Sequence, residues 1–380
     1  MPIGDVTKID FSQATDPHTG VEVTRLTENQ GDTIFPYFTQ PVFTGDGGGL
    51  LLSSNRTGQW QAYLLELASG RLVQLTDEPG GISCHASAVL PTEAACAVTA
   101  GQAVKRVPFD GGPSETIYEV PDGFRPSILS PTADGSSVTF AYSEKLNLST
   151  HTGRIYSDML EHLYRRPACV IMRVQTDGSG AAALWGEREW ISHVNVSPTD
   201  PDLVCFCHEG PWELVQRLWT VRASTHEVWP LLLQRRHLDR SGHEYFTASG
   251  RLVTQWSIRE TPSSSAVCYN AIVDPSGENL RMFRYDGPNP NHIQTSPDET
   301  LLVGDTCILP ELPDGGSFMC LVKHEGDRAL KQPLCRHDAS WKTQHSHPHP
   351  VFTPDGAAVV FNSDRGGHSN VYLTRAEWRR

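Results

Sequence analysis

The chain has 380 residues, of which 38% are hydrophobic, and its formal net charge is −13. This length allows one large domain or two to three ordinary ones. The acidic balance argues against a nucleic-acid partner, because phosphate recognition needs a basic face. No apolar run approaches the ~20 residues that cross a bilayer, and the N-terminal residues lack the basic and apolar regions of a secretion signal. We therefore expect no membrane association.

The nine cysteines include no C-x-x-C motif, and the closest pair is Cys205 with Cys207. An odd number of scattered cysteines is typical of reduced, buried thiols in a cytosolic protein. Together with the missing secretion signal, this pattern predicts a cytoplasmic location.

Glycine and proline, 32 and 27 residues, are spread evenly along the chain, which predicts many short strands joined by turns. The first clear unit is a strand, a turn and a second strand, in which residues 41–47 read PVFTGDG and precede the strand at 50–52. The last unit is closely similar, because residues 350–356 read PVFTPDG and precede the strand at 359–361. Weaker copies lie between them, at residues 85–92, 129–142, 196–207, 246–256 and 295–304.

These seven units, mostly about 40–60 residues apart, predict an all-β fold, a seven-bladed β-propeller formed as a single domain by residues 1–380. Residues 20–28 resemble residues 70–78, the outer strand of the first blade, but have no blade of their own. We expect this N-terminal strand to complete the last blade, which removes a free sheet edge. An insertion at about residues 144–167 interrupts the repeat and contains a predicted helix at residues 156–164.

Histidines recur at one position of the repeat, four residues before the Ser or Thr of the turn. Equivalent positions of successive blades surround the central axis, so these side chains are expected to converge at one mouth of the channel. The alternative is that each histidine caps its blade structurally. The residues at this position are His193, His243, His292 and His349, with Gln40 in the first blade and His85 close to it in the second.

The segment before the last unit reads QHSHPHP and adds further donors beside His349. Prolines bias it toward extended geometry, in which side chains two apart share a face, so His347 and His349 are expected to point the same way. Together with the amide of Gln344, two imidazoles suit Mn, Fe, Co, Ni or Zn better than calcium or magnesium. A solvated, histidine-rich turn is the alternative interpretation.

Essentially the whole chain resembles the oligogalacturonate lyases, which are seven-bladed propellers that cleave short pectic oligosaccharides. The resemblance implies a manganese ion (or another divalent transition metal) on His292, Gln344, His347 and His349. It also implies that His243 is the proton-abstracting base and that Arg217 lies beside the substrate, although Arg217 taken alone fits an ordinary salt bridge equally well. We expect substrate contacts from His85, His193 and Arg336. The matching segments are residues 336–341, 344–350, 291–293 with Gly304 and Asp305, 242–246, and Gly210–Pro211 followed by 217–219.

The activity that this resemblance implies is β-elimination of short oligogalacturonides such as digalacturonate, in intracellular pectin degradation. The C5 proton of a uronate is weakly acidic, so positive charge on the carboxylate and a neutral histidine base would both promote its removal. The partner is then a small acidic oligosaccharide. The main alternative is a non-catalytic, TolB-like propeller that binds a protein or sugar. A serine-peptidase propeller is disfavoured, since no G-x-S-x-G motif is present.

Overall fold

The computed structural model describes residues 2–150, 157–236, 238–309, 312 and 315–379. Almost all regular elements of the described chain are short strands, and the chain divides into two compact units. One unit comprises Met1–Lys8 and Phe35–Leu233, and the other comprises Ile9–Ile34 and Gln234–Arg380. The prediction of an all-β protein is therefore confirmed.

The first half of the chain contains the following strands: β1 (Val6–Lys8), β2 (Ser12–Thr15), β3 (Glu22–Arg25), β4 (Thr33–Ile34), β5 (Gly49–Ser54), β6 (Gln61–Glu66), β7 (Arg71–Gln74), β8 (Ser87–Val89), β9 (Ala95–Ala100), β10 (Ala103–Pro108), β11 (Glu115–Glu119), β12 (Phe124–Pro126), β13 (Ser130–Pro131), β14 (Ser137–Glu144), β15 (Cys169–Gln175) and β16 (Ala181–Glu187). Helix α1 (Met159–Arg165) lies between β14 and β15.

The second half contains β17 (Ile191–Val196), β18 (Leu203–His208), β19 (Leu218–Arg222), β20 (Glu227–Pro230), β21 (Arg240–Phe246), β22 (Leu252–Ile258), β23 (Val267–Val273), β24 (Arg281–Tyr285), β25 (Ile293–Thr295), β26 (Leu302–Cys307), β27 (Phe318–Glu325), β28 (Arg328–Arg336), β29 (Val351–Phe352), β30 (Ala358–Ser363) and β31 (Asn370–Arg375). A single turn of 3₁₀ helix, Gln344–Ser346, precedes β29.

Antiparallel sheets make up the first unit, and each is built around a meander of consecutive strands. Their orders are β1–β7–β6–β5, β11–β10–β9–β8, β12–β14–β15–β16 with β13 beside β14, and β17–β18–β19–β20. Strand β1 adds to β7 with Val6 opposite Val73, so N-terminal residues extend the sheet that the unit's first meander forms.

The second unit joins the two ends of the chain in one sheet, of order β2–β3–β31–β30–β29. Strand β3 pairs antiparallel with β31, with Val23 opposite Thr374. This is the pairing expected from the likeness of residues 20–28 to 70–78, and β2 adds one more strand outside it. The other sheet has eight strands, in which the meanders β21–β24 and β25–β28 meet through a short parallel pairing of β24 with β28.

The turn that repeats in the sequence also repeats in its hydrogen bonds. In the last copy, the Thr353 hydroxyl donates to Asp355 at 2.6 Å, and the Thr353 amide donates to the Ala358 carbonyl at 2.9 Å. Such Ser/Thr and Asp side chains replace missing backbone partners in tight turns. This hydrogen-bond pattern fixes where the strand after each turn begins. It therefore also fixes the position of the residue four places before the Ser or Thr of the turn, where the histidines recur. The other hydroxyl–carboxylate pairs are Thr44 with Asp46, Thr132 with Asp134 and Ser296 with Asp298.

Apolar side chains fill the space between consecutive sheets within each unit. In the first unit, Val104 of β10 and Phe140 of β14 belong to one buried cluster. In the second unit, Val303 of β26 and Phe361 of β30 belong to another. Neighbouring sheets therefore pack face to face, and central strands such as β5 and β18 are buried along their whole length.

The predicted insertion at residues 144–167 contains α1, which begins three residues later than predicted, at Met159, and ends at Arg165. Residues 151–156, which include the predicted start of the helix, lie outside the described residues. The His162 ring stacks on Trp190 with centroids 4.0 Å apart, so the helix is anchored beside the start of β17. Within the described ranges, no helix has the length and apolar character needed to cross a bilayer.

Candidate metal centre and active site

Three of the predicted metal ligands come together in the second unit. His292, His347 and His349 are all buried, and each offers a ligand atom within 4.8 Å of the others. The ring centroid of His292 lies 4.3 Å from that of His349 and 5.5 Å from that of His347. A buried cluster of imidazoles is the donor set that a divalent transition metal prefers.

The loop that brings two of these histidines together is not extended throughout. After the 3₁₀ turn Gln344–Ser346, His347 has the extended values φ −79° and ψ 142°. His349, in contrast, has φ 47°, which is left-handed backbone. His347 and His349 therefore converge as predicted, but through a bend at His349 and not through the extended geometry that the sequence suggested. The Pro348 carbonyl accepts a hydrogen bond from the Asn362 amide at 2.8 Å and ties this bend to β30.

The donor set in this pocket fits a transition-metal ion. The Gln344 amide nitrogen lies 3.4 Å from Nε2 of His349, so a half-turn of the amide places its oxygen at the cluster. Among the described residues, the buried Nδ1 atom of His347 has no hydrogen-bond partner. Burial and the neighbouring His292 lower the pKa of His347 to about 4, which keeps the ring neutral and its lone pairs available.

A buried carboxylate, Asp305 on β26, supports the cluster from behind. One carboxylate oxygen lies 2.5 Å from Nδ1 of His292, and the other accepts the backbone amides of Asn291 and His292 at 3.0 Å each. Burial raises the pKa of Asp305 to about 6, against these backbone hydrogen bonds, which lower it. No role for Asp305 was predicted from the sequence, although the Gly304–Asp305 pair belongs to the segments that carry the family resemblance.

His243 lies on β21 inside a bulge, where the pairing with β22 shifts register between Ser241 and Glu244. A bulge turns one side chain away from the regular alternation of the strand. The Gln255 side-chain oxygen accepts a hydrogen bond from the His243 backbone amide at 3.2 Å. This bond replaces the interstrand backbone hydrogen bond that the bulge removes. Gly242 is needed here, because a Cβ atom would collide with the Gln255 side chain.

The imidazole of His243 reaches the metal-ligand cluster. Its ring centroid lies 4.4 Å from that of His292. Its Nδ1 atom donates to the Asn291 carbonyl at 2.8 Å, so the lone pair of the neutral ring is on Nε2. A neutral imidazole held in this tautomer can accept a proton at Nε2.

The first unit holds Arg217 in a buried ion pair. Its guanidinium donates to Glu209 at 2.9 Å and lies 3.4 Å from Nδ1 of His193. Burial acts to raise the pKa of Glu209. The charges of Arg217 and His193 and the hydrogen bonds from Arg217 and Ser192 outweigh burial, so the pKa of Glu209 is lowered overall. The salt-bridge interpretation of Arg217 is thus part of the structure, and Glu209, which directly precedes Gly210–Pro211, was missed.

Of the predicted substrate-binding residues, two share the neighbourhood of Tyr37. The Tyr37 ring lies 5.0 Å from that of His193 and 6.4 Å from that of His85. His193 also sits in a strand bulge, at the start of β17, as His243 does at the start of β21. Arg336 lies at the end of β28, where its side chain forms an ion pair with Asp338.

A cavity of about 380 Å³ lies next to the cluster in the second unit. Trp341 contributes one wall, and its ring centroid lies 4.6 Å from that of His347. Buried His337 contributes another and donates from Nε2 to the Asp305 carbonyl at 3.1 Å. The described lining residues are Asp305, Thr306, Cys307, Ile308, Gly315, Gly316, Ser317, His337 and Trp341.

These features define an all-β protein with a candidate transition-metal centre beside a histidine that can act as a base. The family model of the oligogalacturonate lyases matches residues 1–377, so the chain belongs to the oligogalacturonate lyase family. The predicted family resemblance and the predicted enzyme class, a lyase, are both confirmed.

Individual relatives cover the chain from end to end. It is 28% identical over 392 residues to the oligogalacturonate lyase of Dickeya dadantii, with 97% of each chain covered. It is also 28% identical over 396 residues to the oligogalacturonide lyase of Pectobacterium atrosepticum, with 99% of this chain and 98% of the relative covered. A solved structure described as oligogalacturonate lyase in complex with manganese superposes with a TM-score of 0.88 at 26% identity, covering 99% of both chains.

Proposed function

We propose that the protein cleaves short oligogalacturonides, such as digalacturonate, by metal-dependent β-elimination that leaves a 4,5-unsaturated uronate. The observation that carries this proposal is the buried imidazole cluster of His292, His347 and His349 with His243 beside it. Metal ligands and a neutral base next to one another are the two elements that removal of a proton α to a carboxylate requires.

Manganese is the proposed cofactor, and another divalent transition metal would suit the same donors. His292, His347, His349 and the amide oxygen of Gln344 would hold it. When bound, the ion supplies positive charge that neutralises the uronate carboxylate and acidifies the C5 proton. These four donors would leave coordination positions for such a carboxylate.

His243 is the proposed base. Because Nδ1 donates to the Asn291 carbonyl, Nε2 carries the lone pair that takes the C5 proton. The electrons of the broken C5–H bond form the C4–C5 double bond. The C4–O4 bond breaks with its electron pair on O4, which takes a proton from solvent and leaves as a hydroxyl of the departing sugar. The proton remains on Nε2 until it is lost to solvent.

Arg217 is proposed to bind the uronate carboxylate. The Glu209 ion pair holds the guanidinium in one orientation, which reduces the entropy lost when the substrate binds. His85, His193 and Arg336 are proposed to contact the sugar hydroxyls and the second carboxylate. The substrate is anionic and the chain carries a net charge of −13, so a few buried cations must provide the attraction.

The fold proposed for this site is a single seven-bladed β-propeller, residues 1–380. Four antiparallel meanders in one unit and three in the other, over the described residues, give seven blade-sized groups of strands, two of which are joined in the eight-stranded sheet. The pairing of β3 with β31 supports closure of the last blade by the N-terminal strand. We also propose a cytoplasmic location, which the nine free cysteines, eight of them buried, support.

A lyase assay tests the function directly. The protein would be incubated with digalacturonate and Mn²⁺, and the conjugated unsaturated product would be followed by its ultraviolet absorbance and by mass. The same disaccharide with its carboxylates reduced to alcohols is the matched control and should give no product. Tight binding of digalacturonate without any turnover would contradict the proposal and favour the non-catalytic, TolB-like alternative.

A further inference from the structure

We propose that Asp305 is a positioning residue that sets the tautomers of two imidazoles, His292 directly and His243 through the Asn291–His292 backbone. This inference rests on the metal site of the proposed function but not on the identity of the substrate. Asp305 is completely buried on β26, and no step of the proposed reaction uses its carboxylate.

The first half of the argument concerns His292. An ionised carboxylate only accepts hydrogen bonds, so the Asp305 oxygen that lies 2.5 Å from Nδ1 of His292 requires the proton to be on Nδ1. The lone pair of the ring is then on Nε2. Histidine ligands generally donate their second nitrogen to a carboxylate or carbonyl in this way, which fixes the ring and raises its basicity.

Asp305 acts on His243 indirectly, through the backbone of Asn291 and His292. The other carboxylate oxygen accepts the amides of Asn291 and His292 at 3.0 Å each. Holding these two amides fixes the peptide that carries the Asn291 carbonyl. That carbonyl accepts one hydrogen bond from Nδ1 of His243 at 2.8 Å and another from the side-chain amide of Gln255. One carboxylate therefore holds both neighbouring rings with their protons on Nδ1.

The local packing leaves little freedom for another arrangement. A Cβ atom on Gly304, the residue before Asp305, would collide with the Pro290 ring, so β26 approaches the loop before His292 closely. The Asp305 carbonyl is itself held by Nε2 of His337 at 3.1 Å. A buried carboxylate is unfavourable without hydrogen-bond partners. Asp305 has such partners in Nδ1 of His292 and in the two backbone amides.

The test is Asp305→Asn in the full-length protein. The amide oxygen can still accept the two backbone amides, but its NH₂ group then faces Nδ1 of His292. An N–H group of the amide and an N–H group on Nδ1 cannot face each other, so the His292 ring adopts the tautomer with its proton on Nε2. In that tautomer Nε2 has no lone pair for a metal ion. We expect Mn²⁺ affinity, measured by competition with a chelator, to fall by about 10- to 100-fold.

The matched control is Asp298→Asn, which changes a carboxylate of the neighbouring turn that binds only Ser296 and Thr300 in the described contacts. It should bind Mn²⁺ with wild-type affinity. Nitrogen-15 NMR of the metal-free wild type supplies a second measurement that needs no variant to fold. His292 and His243 should both show the tautomer protonated on Nδ1. In Asp305→Asn, His292 should lose this preference and His243 should keep it, because the two backbone amides still have their acceptor; Asp305→Ala removes that acceptor, so His243 should lose its preference there.

Unchanged Mn²⁺ affinity in a folded Asp305→Asn, or protons on Nε2 of both rings in the wild type, would overturn the proposal. These readouts require no turnover. A protein that shows the expected affinity loss and tautomers but does not cleave digalacturonate would therefore refute the proposed function and leave the role of Asp305 standing.

Discussion

The Nδ1 atom of His243 lies 2.8 Å from the carbonyl oxygen of Asn291, the residue that directly precedes the metal-ligand candidate His292. The base candidate and the metal-ligand candidate are therefore joined through one peptide unit. A change at either histidine can be transmitted to the other, so metal binding and turnover have to be measured separately.

Replacing His243 with Ala should abolish proton transfer while leaving the metal in place. A positioned general base contributes about 10²- to 10⁴-fold, so turnover of digalacturonate should fall at least that far. Metal content is measured on the same sample by elemental analysis, and His226→Ala serves as an exposed control. The wild-type rate should rise with pH, because only unprotonated imidazole accepts a proton. Near-normal turnover would instead point to His193 or His85 as the base.

Replacing His347 or His349 with Ala should remove the metal without unfolding the protein. Each change deletes one donor from a cluster whose atoms lie within 4.8 Å of one another. Wild-type protein should hold about one transition-metal ion per chain, and exhaustive chelation should abolish turnover until Mn²⁺ is returned. Full activity in samples that elemental analysis shows to be free of metal would contradict this assignment.

Replacing Arg217 with Ala should reduce both stability and activity, since it leaves the Glu209 carboxylate buried without its partner. Breaking such a pair destabilises by about 3–5 kcal/mol, to be measured by urea unfolding. Arg217→Lys should rescue only part, because a point charge does not reproduce a planar fork of donors.

A double variant separates the two roles of Arg217. Arg217→Met combined with Glu209→Gln removes both charges, so the free energy of unfolding should recover most of the loss. Turnover should not recover, since the cation proposed to bind the substrate is missing. Recovery of turnover along with stability would show that Arg217 acts only as a structural ion pair.

Replacing Gly242 with Ala should disturb the bulge that presents His243. The added Cβ would collide with the Gln255 side chain, which holds both the His243 amide and the Asn291 carbonyl. We expect a loss of about 1–3 kcal/mol in unfolding free energy and a fall in kcat larger than any change in KM. Gly180→Ala, at a site with no atom within 4 Å of the added methyl, should change neither quantity.

His324 should make the protein acid-sensitive. Burial beside the parallel Phe283 ring, together with Arg281 and Arg251, lowers the pKa of His324 from 6.5 to about 4. Between these pH values the unfolded chain binds more protons, so the free energy of unfolding falls as the pH drops from about 6.5 toward 4.

His324→Phe should flatten part of this dependence, by at most about 2 kcal/mol between pH 7 and pH 5. Urea unfolding at pH 7 and pH 5 measures it. An unchanged difference between the two pH values would show that His324 is not a source of the acid sensitivity.

Local sequence patterns were enough to predict the class of fold and most of the candidate ligands. The Thr353–Asp355 turn and its copies are short-range hydrogen-bond patterns, so they can be read from neighbouring residues. The spacing from each turn then predicted which histidines occupy equivalent positions. His292 and His349 were grouped for this reason although 57 positions separate them in the chain, and the structure brings them together.

Only the tertiary structure identified the groups that orient these histidines. Asp305 on β26 reaches His292 just before β25, and Glu209 just after β18 reaches Arg217 just before β19. Likewise, His349 meets His347 through a left-handed bend rather than an extended run. The physical reason is that a repeat specifies which residue types recur at each place in a strand. Which buried carboxylate or carbonyl accepts a given proton is decided by distances between strands, and these exist only once the sheets have packed.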